Sequence, residues 1–321
     1  MSDVLAPHPV HIHPPVLARW ERSPSGVAYG QERDSGVDGP QVLLTALVHG
    51  NEFAGAIVLD EWLARGSQPR RGRITVAFCN VAAFGRFDAA APDASRFTDE
   101  DFNRVWAPER LDGPGQSAEL RRARELRPFV ERCTHLLDLH SMHEPCHPLL
   151  VTGMRPRDIA FARALGCQGQ IVIDEGHADG VRMRDYEGQA AHGNTRIALL
   201  LEAGQHWAAT SVAHSRDVLM RFLLAAGAID PSDVVPGWLL PAAHETLAVR
   251  VTHRVVAQSK DFVFLDDFTG GEVISRAGTA IALDGGTPVR TPYDDCVLVM
   301  PSLRQLRPGV TTVRLGRLSA G

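Results

Sequence analysis

Residues 41–55, Gln-Val-Leu-Leu-Thr-Ala-Leu-Val-His-Gly-Asn-Glu-Phe-Ala-Gly, contain the pattern that determines the fold. Gln41–Val48 is an apolar run with β-branched residues, long enough to form one buried strand. From Ala54 onward, apolar residues recur at the spacing of a helix. His49 and Glu52 therefore lie at a strand-to-helix junction, where α/β sheets commonly present functional groups. This pattern predicts an α/β fold with chemistry at the end of the strand.

His49 and Glu52 are three residues apart, a spacing that lets an imidazole and a carboxylate bind one metal ion. His-x-x-Glu alone is common by chance, but a second apolar run ends in Asp138-Leu-His140. Two histidines and a glutamate form a ligand set typical of catalytic zinc, with one position left for water. Asp138 shares a strand face with His140, so it is predicted to support that ligand from behind.

Glu202 lies near the end of a third apolar run, Arg196–Gly204. A carboxylate there is costly to bury unless a charged group faces it, and hydrolysis at a metal requires a general base. Each residue also has a structural alternative. His49 would be a core histidine, Glu52 a carboxylate favoured by a helix dipole, and Glu202 half of an ion pair. Because candidate site residues recur at the ends of three predicted strands, a metal site is favoured over these alternatives. Zinc is the preferred metal, and cobalt, manganese or iron is left open.

Four motifs in order resemble the aspartoacylase and succinylglutamate desuccinylase family, which belongs to the zinc-carboxypeptidase clan. They are His49-Gly-Asn-Glu52, Arg96-x-x-Asp99-x-x-x-Asn103-Arg104, Asp138-Leu-His140 and Glu202-Ala-Gly204. The match covers roughly residues 40–207. The resemblance implies a zinc-carboxypeptidase-like mixed sheet flanked by helices. It also implies one zinc ion per chain, with His49, Glu52 and His140 as ligands and Glu202 as the base.

Substrate-binding residues are also implied by the resemblance. Asn103 and Arg104 match a pair that binds a substrate carboxylate, a task suited to the fork of a guanidinium group. The structural alternative is an arginine that ties down the long connection 81–115. In the family, an arginine that polarises the scissile carbonyl follows Asn-Pro, whereas this chain has Ala82 at the matching place. We predict that Arg86 replaces the missing arginine, and Arg96 is the alternative. If Arg96 does not take that role, it is expected to bind substrate.

A second departure from the family lies about ten residues before Glu202, where a carboxylate-binding arginine aligns with His192. His192 or Arg196 is expected to take that part. Tyr293, in Thr-Pro-Tyr-Asp-Asp, matches a substrate-binding tyrosine, although a tyrosine in a turn explains it equally well.

Pro231 and the Pro236-Gly pair mark a change to short β-like runs separated by Gly-Gly turns. We predict a catalytic α/β domain over 1–230, with 1–15 an arm, and a small all-β domain over 231–321. Such a domain covers the active-site mouth in the resembling families.

Composition limits the functional class of this chain of 321 residues. A net charge of −5 argues against nucleic-acid binding, and no apolar run is long enough to cross a bilayer. The N-terminus lacks the pattern of a signal peptide, and the five cysteines form no Cys-x-x-Cys pair. A cytoplasmic location is therefore expected. The sequence leaves a homo-oligomer open.

The combined prediction is a zinc-dependent amidohydrolase that cleaves the amide bond of a small N-acyl amino acid. The first alternative is a metallocarboxypeptidase acting on peptides, which uses the same catalytic residues. The second is a non-catalytic binding protein of the same fold, which would have no need for a base beside the metal.

Overall fold

A mixed sheet of 11 strands organises the protein. The computed structural model describes residues 8–177, 179–187, 195–243 and 246–319. The strands in these residues are β1 (Gly30–Asp34), β2 (Gln41–Ala46), β3 (Arg73–Phe78), β4 (His135–Met142), β5 (Leu149–Thr152), β6 (Gln170–Ile173), β7 (Ile197–Gln205), β8 (Ala248–Val256), β9 (Phe262–Phe264), β10 (Val273–Ile274), β11 (Ala280–Asp284), β12 (Thr287–Arg290), β13 (Cys296–Val299) and β14 (Thr311–Leu318). The order in the large sheet is β1-β3-β2-β4-β7-β5-β6-β8-β14-β13-β10.

Helices cover both faces of this sheet. They are α1 (Ala54–Ala64), α2 (Val81–Phe84), α3 (Pro108–Leu111), α4 (Ala118–Arg132), α5 (Pro156–Ala164) and α6 (Ala209–Ala225). Neighbouring residues of β2 enter opposite cores: Leu44 lies in the cluster with Trp62 of α1, and Leu43 in the cluster with Phe129 of α4. Burial on both faces explains why the strand reads as a continuous apolar run. The predicted α/β fold with a mixed sheet and flanking helices is confirmed.

The three central strands β2, β4 and β7 run parallel, so their carboxyl ends meet at one edge of the sheet. In the β4–β7 ladder, His140 is directly paired with Glu202. The register therefore places the last predicted ligand beside the predicted base.

In the described part of the C-terminal region, strands β8 to β14 follow a short 3-10 turn at Pro231–Asp233, and the smaller antiparallel sheet predicted there is confirmed. Strands β9, β11 and β12 form a separate antiparallel sheet, whereas β8 pairs in parallel with β6 and continues the large sheet. The large sheet therefore extends across the boundary predicted near residue 231, and the division into domains 1–230 and 231–321 stays a prediction. Through β14, the C-terminal region contributes Arg314 to the cavity described below. Among the described residues, no helix combines the length and apolarity needed to cross a membrane.

Candidate metal and catalytic site

His49, Glu52 and His140 come together at the carboxyl edge of the sheet. One ligand atom from each lies within 4.8 Å of the others, and all three side chains are buried. His49 and Glu52 belong to the turn between β2 and α1, and His140 belongs to β4, the neighbour of β2. The turn and the parallel strand together form a cluster that can hold a metal ion.

Both histidines direct Nδ1 toward the same carboxylate. His49 Nδ1 lies 2.8 Å from Glu52 Oε1, and His140 Nδ1 lies 2.9 Å from Glu52 Oε2. Burial would raise the pKa of Glu52, but the charge of His49 and the hydrogen bond with His140 hold it well below its usual range. Burial would lower the pKa of His140, but Asp138 and Glu52 raise it well above the usual value. The cluster therefore favours positive charge between its three members, as a cation site requires.

A carboxylate lies behind each histidine. Asp138 Oδ2 is 2.9 Å from His140 Nε2, and Thr45 donates its hydroxyl to Asp138 Oδ1 at 2.7 Å. Asp101 Oδ1 is 3.0 Å from His49 Nε2. Burial would raise the pKa of Asp101, but His49 lowers it far below the usual value. With Nε2 hydrogen-bonded to a carboxylate, Nδ1 of each ring is left to bind a metal.

The sequence motif does not single out Asp101, because its acidic position is Asp99. Asp99 Oδ2 instead accepts a hydrogen bond from the Ala118 amide at the start of α4, at 2.7 Å. The available signal was the position of Asp101 two residues before Asn103-Arg104, the pair matched to substrate binding, and both of those residues line the cavity.

Glu202 lines the same cavity and has an uncompensated oxygen. Its Oε2 is shielded from solvent and has no hydrogen-bond partner in the described part of the chain. Burial raises the pKa of Glu202 to about 8, although the charge of His140 acts in the opposite direction. A carboxyl group in this state is suited to accept and release a proton near neutral pH.

The guanidinium group nearest these residues belongs to Arg96, not Arg86. Arg96 Nη1 lies 2.9 Å from Glu52 Oε1, and its Nη2 lies 3.1 Å from His49 Nε2. Arg86 is exposed, donates to the Phe97 carbonyl at 2.6 Å and does not line the cavity. The structure therefore places Arg86 in the exposed segment that follows α2, outside the cavity lining.

Gly50 explains how the Arg96 loop approaches the cluster of His49, Glu52 and His140. A Cβ atom at Gly50 would lie 2.3 Å from the Ser95 carbonyl oxygen and 2.5 Å from the Phe84 amide nitrogen. The Gly50 amide donates to the Arg96 carbonyl at 3.0 Å. Glycine is therefore required here because two backbone segments come into contact, which a side chain would prevent.

The cavity, of about 330 Å³, is bounded by His49, Glu52 and His140, by Glu202 and by a set of basic side chains. Among the predicted substrate-binding residues, Arg104 lines it and donates to the Asn103 carbonyl at 2.7 Å. Asn103 also borders the cavity, but its Oδ1 accepts from the Met183 amide at 3.0 Å, which fixes the next loop.

Two other predicted substrate residues, Tyr293 and Arg196, do not line the cavity. The Tyr293 ring lies 3.7 Å from the Arg317 guanidinium carbon, and Tyr293 is not part of the described lining. Arg196 is buried elsewhere and donates to the Val130 carbonyl at 3.0 Å. His192 lies outside the described residues.

Comparison with known proteins points to one family. The model of the succinylglutamate desuccinylase/aspartoacylase catalytic domain matches residues 38–223. A probable aspartoacylase of Parasynechococcus marenigrum (strain WH8102) is 33% identical over 135 residues, covering 40% of this chain and 43% of that protein. The succinylglutamate desuccinylase of Pseudomonas syringae pv. tomato is 36% identical over 120 residues, covering 36% of this chain and 32% of that protein. The chain thus spans less than half the length of these curated relatives.

Solved structures agree over a longer range. Succinylglutamate desuccinylase from Vibrio cholerae has a TM-score of 0.62 and 20% identity, covering 92% of this chain and 89% of that chain. The succinylglutamate desuccinylase/aspartoacylase from Rhodobacter sphaeroides has a TM-score of 0.63 and 18% identity, covering 89% of this chain and 87% of that chain. At these identities the likeness establishes the fold.

Proposed function

This chain belongs to the succinylglutamate desuccinylase/aspartoacylase family, and we propose that it is a zinc-dependent hydrolase that deacylates a small N-acyl amino acid. One observation carries this proposal: the unpartnered Glu202 carboxyl borders the same cavity as the buried His49, Glu52 and His140 cluster. A binding protein gains nothing from a carboxyl oxygen that is shielded from solvent without a partner, whereas a hydrolase needs a base there.

The residues fit zinc through their donor set. Two imidazole nitrogens and a carboxylate, with further carboxylates behind both rings, are typical of a catalytic zinc site. When bound, zinc would polarise the carbonyl and lower the pKa of water toward ~7. His49, Glu52 and His140 would hold the ion, and Asp101 and Asp138 would keep the two rings oriented.

Glu202 would act as the proton carrier. Its raised pKa suits it to take a proton from the attacking water and deliver that proton to the leaving amine. The Arg96 guanidinium, beside Glu52, would donate hydrogen bonds to the developing oxyanion, the part first predicted for Arg86. Arg104 would bind the carboxylate of the amino acid through its fork of donors.

The test combines metal analysis with hydrolysis of a panel of N-acetyl, N-formyl and N-succinyl amino acids and short peptides. We expect about one zinc ion per chain in the wild type. Glu202→Gln should keep the metal and lose roughly 100-fold or more in kcat. Glu125→Gln, an exposed carboxylate on α4, is the matched control and should leave both unchanged.

Three results would contradict the proposal: a wild type that binds no zinc, full activity in Glu202→Gln, or a wild type that cleaves none of these compounds. Cleavage of peptides with no cleavage of N-acyl amino acids would favour the metallocarboxypeptidase alternative.

A further inference from the structure

Two further histidines, His143 and His206, lie at the cavity and have no part in the reaction proposed above. His143 directly follows β4 and lines the cavity, whereas His206 directly follows β7 and is fully buried. Their rings meet edge to face, with the centroids 4.6 Å apart. One imidazole therefore belongs to the cavity wall, and the other packs against it.

The ends of β4 and β7 hold this pair of histidines in place. His206 Nδ1 lies 2.8 Å from Ser141 Oγ, and the His206 amide donates to the Met142 carbonyl at 2.8 Å. Gln205 Nε2 donates to the His143 carbonyl at 3.3 Å. The backbone of His143 is thus fixed by a hydrogen bond from β7, and its ring is fixed by packing on His206. A side chain held in this way is positioned before any ligand arrives.

The ring nitrogens of His143 form no hydrogen bond with any residue in the described ranges. Nε2 lies 3.6 Å from Asp93 Oδ1, which is beyond hydrogen-bond distance, and only 16% of the side chain is exposed. A largely buried polar group without a partner is unfavourable, so a ligand in the cavity is expected to supply one.

His143 also keeps a free acceptor, which its polar neighbours lack. Burial lowers the pKa of His143 to about 3, and the charge of Arg96 acts in the same direction, so the ring is neutral and one nitrogen has a free lone pair. The Arg96 guanidinium has only donors, and the carboxylates of Glu52 and Asp101 already face histidine rings. Glu202 is engaged by the attacking water in the proposed reaction. His143 is therefore suited to accept a hydrogen bond from the substrate.

A secondary amide has one donor beside the carbonyl that is attacked, its N–H, and the corresponding ester has none. We propose that His143 is a catalytic residue that accepts a hydrogen bond from the N–H of the scissile amide, so that the enzyme prefers amides to the corresponding esters. This inference rests on the proposed function, since it takes the reaction to be amide hydrolysis. The contact orients the amide and keeps its nitrogen electron-rich, which favours proton delivery from Glu202.

The test compares amides with esters that lack only the N–H: N-acetylaspartate with O-acetylmalate, and N-succinylalanine with O-succinyl-lactate. His143→Phe removes the acceptor and keeps an aromatic ring against His206. It should reduce kcat/KM for the cleaved amide by about 10- to 100-fold and leave the ester within about threefold of the wild type. Each compound is compared with itself, so the greater intrinsic reactivity of esters cancels. His143→Gln restores an acceptor oxygen and should recover part of the loss.

His177→Phe is the matched control. His177 lines the same cavity, and burial together with the charge of Arg104 lowers its pKa to about 3. Its Nδ1, however, already accepts a hydrogen bond from the Asp179 amide at 3.2 Å. His177→Phe should therefore change kcat/KM for the amide and for the ester in the same proportion.

Calorimetric titration of Glu202→Gln tests the contact without turnover. For at least one pair, this variant should bind the amide about 5- to 10-fold more tightly than the ester, and adding His143→Phe should remove the difference. If the wild type cleaves no amide but this difference is found, the proposed reaction fails and the contact stands. Equal losses for amide and ester in His143→Phe, or no difference in binding between them by Glu202→Gln, would overturn the inference.

Discussion

Replacing Asp101 by asparagine should weaken zinc binding although Asp101 is not itself a ligand. Asp101 Oδ1 lies 3.0 Å from His49 Nε2 and also accepts the Asn103 amide at 2.8 Å. Asparagine keeps an oxygen for both contacts but loses the charge that holds the His49 ring in position. Loss of such a supporting carboxylate typically weakens metal binding by about 10- to 100-fold, or about 1.4 to 2.7 kcal/mol.

The structure selects the lower part of that range. The Asp101 side chain is 23% exposed, so solvent screens its charge, and the retained oxygen preserves the contacts with the His49 ring and the Asn103 amide. We therefore expect a loss of about 10- to 30-fold for Asp101→Asn. Asp138→Asn should cost more, because Asp138 is fully buried and also accepts the Thr45 hydroxyl.

The assay is competition for zinc against a chromophoric chelator, with circular dichroism to verify folding. Asp99→Asn is the matched control, because this neighbouring acid caps α4 and does not contact the metal cluster. Zinc affinities of Asp101→Asn and Asp99→Asn that agree within about twofold would refute the assigned role of Asp101.

Two further outcomes are expected. Arg96→Ala should reduce kcat for amide hydrolysis by about 100- to 1000-fold, because the guanidinium beside Glu52 is lost. Arg86→Ala should leave kcat nearly unchanged. Comparable losses of kcat in the two variants would contradict the role proposed for Arg96. The second concerns His135, which packs against Phe161 and whose pKa is lowered by burial. The folded state keeps this ring neutral while the unfolded state binds a proton below about 6.5, so the free energy of unfolding should fall as pH drops through that value. Urea unfolding at about pH 7.5 and about pH 5.5 should show a smaller decline in His135→Gln than in the wild type, and equal declines would exclude a contribution from His135.

Local sequence patterns were sufficient where a feature depends on neighbours in the chain. The strand Gln41–Ala46 lies within the predicted run Gln41–Val48, the helix α1 begins at Ala54 as its apolar spacing indicated, and Ser117 caps α4 by accepting the Leu120 amide at 3.1 Å. The cluster of His49, Glu52 and His140 also followed from the sequence. Two of these residues share one turn and the third lies near the end of a parallel strand, so the topology of the sheet brings them together without further information.

The conformation of the long connection between α2 and α4 was decided only by tertiary contacts. The Gly50 amide donates to the Arg96 carbonyl, and Glu119 accepts a hydrogen bond from the Thr98 amide. These contacts with distant segments orient Arg96 toward His49 and Glu52 and leave Arg86 in solvent. Tertiary contacts also decide the positions of Asp101 and Arg314. Arg314 approaches the cavity because β14 pairs with β8 in the extended sheet. Periodicity determines which residues enter a strand or helix, whereas the ends of loops and the approach of distant strands depend on contacts that no local pattern records.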